Sequence, residues 1–289
     1  MRTHLLIPIT IFLFLMNSCK EESIELPVFE KENKIALIGE LNQTDPTQIV
    51  LAEAGNLTTG SPIKVIKEGK VVILDTEDKI VDELYYDKET KKWKSIGLNQ
   101  IKAGLRYKIS AQLDKQVITS STLVPKPIDV TITKVTKEVS EVFIEINIEN
   151  PNEISVSCTI AILSKIKSIN DPFPTDGYSR TPIYTNDEET DNYRFNEFTP
   201  PFNKVFLQVK EKAKKRIRIS VKKNDLDTEF DDYFLWVKSM EKNYYKYLYD
   251  YEIQKQVLTY ANLPQLNSNI TEGVGFWGGC FKSSQKITF

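Results

Sequence analysis

The side chains able to do chemistry in this chain are limited by one absence. Its only histidine, His4, lies in the first few residues. The remainder therefore has no imidazole, which excludes Ser-His-Asp and Cys-His catalysis and ordinary His-ligated zinc. An enzyme built here would rely on carboxylates, Lys or Tyr. Asp225, Asp227, Glu229 and Asp231 recur at every second position and would share one side of an extended chain, as an oxygen-seeking cation requires. Calcium-loop spacing is absent and Lys222 and Lys223 adjoin, so the run reads better as a solvated hairpin tip, with no metal site. Gly273-Val-Gly-Phe-Trp-Gly278 matches G-x-G-x-x-G, but only eleven residues follow and none makes a helix. A dinucleotide cofactor is thus excluded, because that motif must open a helix inside a βαβ unit. The glycines instead suit close backbone approach in a terminal strand. Cys158 and Cys280 could pair in an oxidising compartment. Cys158 equally suits the inward face of its strand as a small hydrophobe. No cofactor is expected.

A third cysteine carries a different chemistry. Arg2 and His4 precede an apolar run, Leu5 to Met16, which is too short to span a bilayer and fits a signal-peptide core. Leu15-Met-Asn-Ser-Cys19 resembles a bacterial lipobox. In that lipoprotein class, cleavage leaves Cys19 as the first residue and its thiol takes a diacylglycerol, giving a palmitate-type anchor. Each buried methylene contributes about 0.8 kcal/mol, so two or three chains hold the protein at the membrane. Residues 1–18 are read as the signal peptide and 19–33 as a tether. Lys20-Glu21-Glu22 resembles the export signal that sends lipoproteins of Bacteroidota to the outer face of the outer membrane; a plain charged tether is the alternative.

Composition is that of an ordinary globular protein, 40% hydrophobic and 27% charged. The formal charge of −2 becomes −3 without Arg2, leaving no basic excess for nucleic acid.

The elements that must position these residues are mainly strands. Ile35–Leu41 and Gln48–Ala54 flank the turn residues Asn42 to Pro46. Ile63–Lys67 and Lys70–Leu74 flank Glu68-Gly69, and Leu84-Tyr-Tyr86 and Trp93 flank a lysine-rich tip. Tyr107, Ile109 and Ala111 alternate with polar residues. Residues 34–124 are expected to form an immunoglobulin-like or fibronectin-like β-sandwich. Pro125-Lys-Pro127 marks a boundary, and 128–289 form a larger C-terminal β-sheet domain carrying one helix. In that domain Val142–Ile148 and Ile154–Ile162 alternate on either side of Asn150-Pro-Asn152, which reads as a hairpin. Phe143, on the outer face, is expected to lie under a loop. Residues 165–203, rich in Pro, acid and Tyr, form a long loop of the kind that carries function. A helix near 241–257 is expected, with Ser239 as N-cap and Tyr244, Leu248 and Tyr251 on one face. Tyr245 and Tyr249 are assigned to its exposed flank. With Tyr178, Tyr184 and Tyr193 they are the candidate binding surface for carbohydrate or protein; a helix simply packed on the sheet is the alternative.

Lys238-Ser239, the Tyr244-Tyr-Lys-Tyr-Leu248 core, Pro264, Asn269-Ile270 and Gly273-Val-Gly275 resemble the ending of the DUF4249 family of Bacteroidota lipoproteins. Gly39, Ala103-Gly104-Leu-Arg-Tyr107 and Val124-Pro125 also sit where that family has comparable residues. Thr271-Glu272 departs from the family's further glycine. The resemblance implies no catalytic residues. It does imply a partner: such proteins are often encoded beside TonB-dependent outer-membrane transporters. The expectation is a non-enzymatic accessory or ligand-binding lipoprotein in nutrient uptake, on the cell surface. The alternatives are an adhesion or envelope-assembly lipoprotein, and a carboxylate-based glycosidase with two facing acids about 5–10 Å apart.

Overall fold

The longest strand of the fold is its last, β16 (Gly273–Ile287), and two sets of strands are hung from it. Residues 273–279 pair in parallel with β1 (Ile35–Leu41). Residues 280–287 pair antiparallel with β15 (Tyr233–Met240). A computed structural model describes residues 34–53, 64–95, 101–114, 116–165, 178–185, 188, 190–191, 204–226, 232–256 and 266–288. The architecture is mainly β with one helix, as the alternation of apolar and polar residues indicates.

From β1 the large sheet runs through β2 (Gln48–Glu53), β6 (Lys92–Ser95), β5 (Ile80–Asp87), β4 (Lys70–Leu74), β7 (Arg106–Gln112) and β8 (Val117–Leu123). The two-residue β3 (Lys64–Val65) adds to β2. The sheet curls until β8 returns to the start of β16: Thr271 N donates to Thr119 O at 2.8 Å, and Ser120 Oγ donates to Asn269 O at 2.9 Å. Inside the curl lies a core of Leu37, Leu51, Ile73, Ile109, Ile118 and Trp277. The β1–β2 and β5–β6 hairpins stand where the turn residues place them. The expected hairpin across Glu68-Gly69 does not form, because β4 pairs with β5 and β7 while β3 pairs with β2.

On the other side of β16 the same sheet continues through β15 and β11 (Val156–Lys165) to β12 (Tyr178–Thr181), with β13 (Val205–Val209) also on β11. A second sheet, β14 (Lys214–Lys222), β10 (Glu141–Glu149) and β9 (Asp129–Lys137), closes a core of Ile144, Ile146, Ile160, Leu207, Ile219 and Leu235. The expected hairpin over Asn150-Pro-Asn152 is therefore overturned. β10 and β11 alternate as expected, but they face each other from different sheets. Asn150 makes the corner between them. Its Nδ2 donates to Ile154 O and Lys210 O at 2.8 and 2.9 Å, and its Oδ1 accepts from Asn152 N at 3.1 Å. Phe143 packs not under a loop but under the Arg218 guanidinium, 3.9 Å from the ring centre.

Pro125-Lys-Pro127 joins β8 to β9, between the residues of the two cores. Residues 33–289 nonetheless hold together as one compact unit, since β16 contributes Trp277 to one core and Ile287 to the other.

The helix α1 (Lys242–Gln256) follows β15 directly. Ser239 does not cap it, because it lies within β15 opposite Phe281. The preceding residue, Glu241, takes that place. Its carbonyl accepts the first helical bond from Tyr245 N at 2.9 Å, and its carboxylate accepts from Thr122 Oγ1 at 2.6 Å. The helix lies on the outer face of the sheet over Phe206, Met240, Phe276 and Cys280. Gly278 makes this approach feasible. A Cβ there would sit 2.1 Å from Tyr244 Cγ. Among the described residues no helix is long and apolar enough to cross a membrane.

Candidate functional site

Where α1 overhangs the β1–β2 hairpin there is a cavity of about 400 Å³. Its apolar wall comes from Tyr244, Tyr247 and Leu248 of α1, Phe276 of β16, and Ile38 and Val50 of the hairpin. The Phe276 ring lies against both tyrosines, with centroids 5.5 Å from Tyr244 and 4.7 Å from Tyr247, close to parallel in each case. Alternation explains the placement. Leu37 and Leu41 turn into the core, so Ile38 and Glu40 face outward beneath the helix.

The polar side is an ion cluster. Lys238 and Lys282 are directly opposed across β15 and β16, an arrangement in which like charges repel. Glu40, on the neighbouring β1, resolves it. Its Oε2 accepts from Lys238 Nζ at 2.6 Å and from Tyr244 OH at 2.9 Å, and its Oε1 accepts from Lys282 Nζ. Lys282 Nζ also donates to Asp45 Oδ2 at 2.8 Å. Both ammonium groups lie over the Trp236 ring, at 5.8 and 5.6 Å. Burial opposes ionisation of Glu40, but the two lysines outweigh it and hold the carboxyl at about 2. Burial works against the Lys282 charge as well, and Glu40 beside it reverses the effect, raising its pKa. Burial, reinforced by Glu40, moves the Tyr244 hydroxyl well above its usual range. Each charge is thus matched by its neighbour. A general acid needs a carboxyl held protonated near neutral pH, and Glu40 is displaced in the opposite direction. Among the described residues no group of three or more His, Cys, Asp or Glu is placed to hold a metal ion.

The tyrosines singled out by sequence do not form one surface. Tyr245 is buried at 4% exposure, and Tyr249 is half-buried against it with parallel rings 6.2 Å apart. Both meet Phe206 edge-on. The Tyr245 hydroxyl donates to the Asp191 carboxylate and Tyr249 OH donates to Asp191 O at 3.4 Å. The exposed flank of α1 is instead marked by Tyr251, stacked on Tyr247 at 6.5 Å. Tyr184 packs elsewhere, bridged to Ser220 of β14 with Lys222 above its ring. Tyr178 of β12 pairs with Lys165 of β11, while its side chain, together with Tyr193, lies outside the described residues. So do Cys19, Lys20, Glu21, Glu22 and the 227–231 part of the acidic run.

Of the two readings of Cys158 and Cys280, the possible disulfide is not formed. Cys158 and Cys280 are both free and buried. Cys158 stands on β11 opposite Ser239 and points into the core between the sheets, whereas Cys280 stands on β16 opposite Met240 and points under the helix. Two strand spacings of about 4.8 Å separate their strands, beyond the Cα reach of a disulfide, and the side chains leave opposite faces. Burial raises each thiol to about 12.

Sequence reasoning missed Asn42, Glu40, Lys238 and Lys282. The one signal available was charge at outward positions of strands next to a tyrosine-rich helix.

No family model matches the chain, and no curated protein does. Among solved structures, it is similar over 56% of its length to 14% of a β-glucosidase from Kluyveromyces marxianus, at 7% identity and a TM-score of 0.24. It is similar over 73% to 54% of a DUF4785-family protein from Legionella pneumophila, at 8% and 0.24. A third likeness, over 73%, is to 15% of the α-2-macroglobulin of Escherichia coli, at 8% and 0.22. The chain spans well under two thirds of each of these proteins, and scores of this size carry neither a fold nor an activity across.

Proposed function

We propose that this chain is a surface-exposed outer-membrane lipoprotein, anchored through Cys19, that acts as a non-enzymatic binding accessory of a TonB-dependent transporter in nutrient uptake. The observation that carries the binding reading is the closed ion cluster at the cavity. Glu40 is tied to Lys238 and Lys282, and Lys282 to Asp45. Such a site offers shape, apolar surface and hydrogen bonds, but no poised acid, base or nucleophile. This also disfavours a glycosidase, which needs one carboxyl kept protonated and a second free to attack or to activate water. The Leu15–Cys19 and Lys20-Glu21-Glu22 segments support the anchor and its outward face. The DUF4249 resemblance supports the transporter as partner.

Affinity capture of the tagged, full-length protein from native outer membranes tests the reading. A TonB-dependent β-barrel should co-purify, and its absence under conditions that keep other outer-membrane complexes intact would remove the partner. Cys19→Ala should leave an unprocessed precursor or release the protein from membranes. A processed mutant that still sediments with membranes would remove the anchor. Replacing Lys20, Glu21 and Glu22 with alanine should protect the protein from protease added to whole cells; equal digestion would show that the triplet is not the export signal.

A further inference from the structure

Asn42 occupies the turn that leaves β1, and it lines the cavity with only 3% of its surface exposed. Its Oδ1 accepts from Thr44 N at 2.9 Å, Asp45 N at 2.6 Å and Thr44 Oγ1 at 3.1 Å. Two backbone donors on that oxygen fix which end of the amide is which. The Nδ2 donor is therefore left for the cavity, and it meets no acceptor among the described residues. Three residues along the same turn, Asp45 offers the complementary group. Its Oδ2 holds Lys282, while its Oδ1 has no partner among the described residues. Asn42 and Asp45 thus both line the cavity whose wall carries Tyr244, Tyr247 and Phe276.

We propose that this cavity binds a neutral mono- or disaccharide, with Asn42 Nδ2 donating to one ring hydroxyl and Asp45 Oδ1 accepting from its neighbour. The inference rests on the binding-module reading and names its ligand class. A sugar presents vicinal hydroxyls, each both donor and acceptor, on a ring with apolar C–H faces, which suits this pairing and the Tyr247 and Leu248 side. Lys282 is already shared by Glu40 and Asp45, so an anionic ligand would have to displace a carboxylate to reach it. The other lysine of the lining, Lys92, is exposed and donates to Gln48 Oε1 at 3.4 Å. The volume, about 400 Å³, falls in the small-ligand range of roughly 300–1,000 Å³.

The test uses the full-length lipoprotein extracted in a sugar-free detergent. Saturation-transfer NMR is run with glucose, galactose, mannose, N-acetylglucosamine and their disaccharides, and with glucuronate as a charged counterpart. At least one neutral sugar should receive transfer, and more strongly than glucuronate. Asn42→Asp keeps an oxygen for the Thr44 and Asp45 amides but removes the donor, and it should weaken binding about tenfold or more. Ile38→Trp, at a half-exposed rim position, should block the cavity while leaving the core untouched, so it decides the matter if Asn42→Asp fails to fold. The proposal is overturned if no neutral sugar receives transfer, if glucuronate binds more tightly, or if binding survives Ile38→Trp unchanged. Co-purification of a barrel in the absence of any sugar binding would overturn this inference alone and leave the accessory reading standing.

Discussion

Glu40 and Lys238 are separated by 198 residues along the chain and by 2.6 Å in the fold. Their pairing joins the first described strand to the strand that launches the helix, and Lys282 completes the cluster from β16. It lets two opposed lysines sit side by side beneath a tyrosine-rich helix.

Removing the Glu40 charge should be costly at neutral pH and nearly harmless in acid. The Glu40 side chain is about a quarter exposed. Glu40→Gln should therefore lose about 2–3 kcal/mol, somewhat less than the 3–5 typical of a fully buried pair that loses one partner. The folded pKa, about 2, lies below the ordinary carboxylate value. The ionised group thus contributes stability above pH ~4.4, and this is lost as pH falls toward the folded value. Urea titrations from pH 7 to pH 2 should show the wild type converging on the mutant below pH ~4. A constant gap between them would show that Glu40 is not held by its lysines.

Thr122 should behave as a joint between the curled sheet and the helix. Its buried hydroxyl donates to Glu241 and accepts from Gly279 N at 2.6 Å. Thr122→Val keeps the shape but strands the Gly279 N–H and takes one donor from the Glu241 carboxylate, which keeps Leu123 N at 3.4 Å. A loss of about 1–3 kcal/mol is expected, read as a lower urea midpoint at unchanged m-value. An unchanged midpoint would mean that water replaces the hydroxyl.

Both thiols of the folded protein should be inert. Burial raises Cys158 and Cys280 to about 12, so neither is thiolate to any extent at pH 8. A Cys19→Ala variant should react with a maleimide only after unfolding, giving two labels, and reductant should leave its Tm unchanged. A melting temperature that drops with reductant would reveal a disulfide.

Tyr245 should matter to folding before it matters to any partner. It is buried against Phe206 with its hydroxyl on Asp191. Replacing Tyr245 and Tyr249 together with Ser should cost about 3–5 kcal/mol, the range for removing a buried aromatic. Tyr251→Ser, at 40% exposure, should stay within about 0.5 kcal/mol of wild type. Circular dichroism melts separate the two; equal melting of all three proteins would return Tyr245 to the surface.

Local periodicity sufficed for much of the architecture. The two-residue alternation of Val142–Ile148 and of Tyr107–Ala111 identifies strands and their buried faces. Tyrosine and leucine at helical spacing identify α1. Cys19 and its flanking residues carry the anchor reading unaided, since a targeting signal is read as an extended chain and needs no fold. Alternation, however, records only which side of a strand is buried. It does not say whether the next strand pairs beside it or faces it across a core, and so β10 and β11 read as a hairpin. The site lay beyond sequence for a related reason. Glu40, Lys238 and Lys282 occupy outward positions that look solvated until α1 covers that face. The tyrosines could not all be placed from helical spacing, because Tyr245 is buried by Phe206 and Asp191, which reach it from distant parts of the chain. Long-range pairing brought these groups together, through β16, whose first half lies on β1 and whose second half lies on β15.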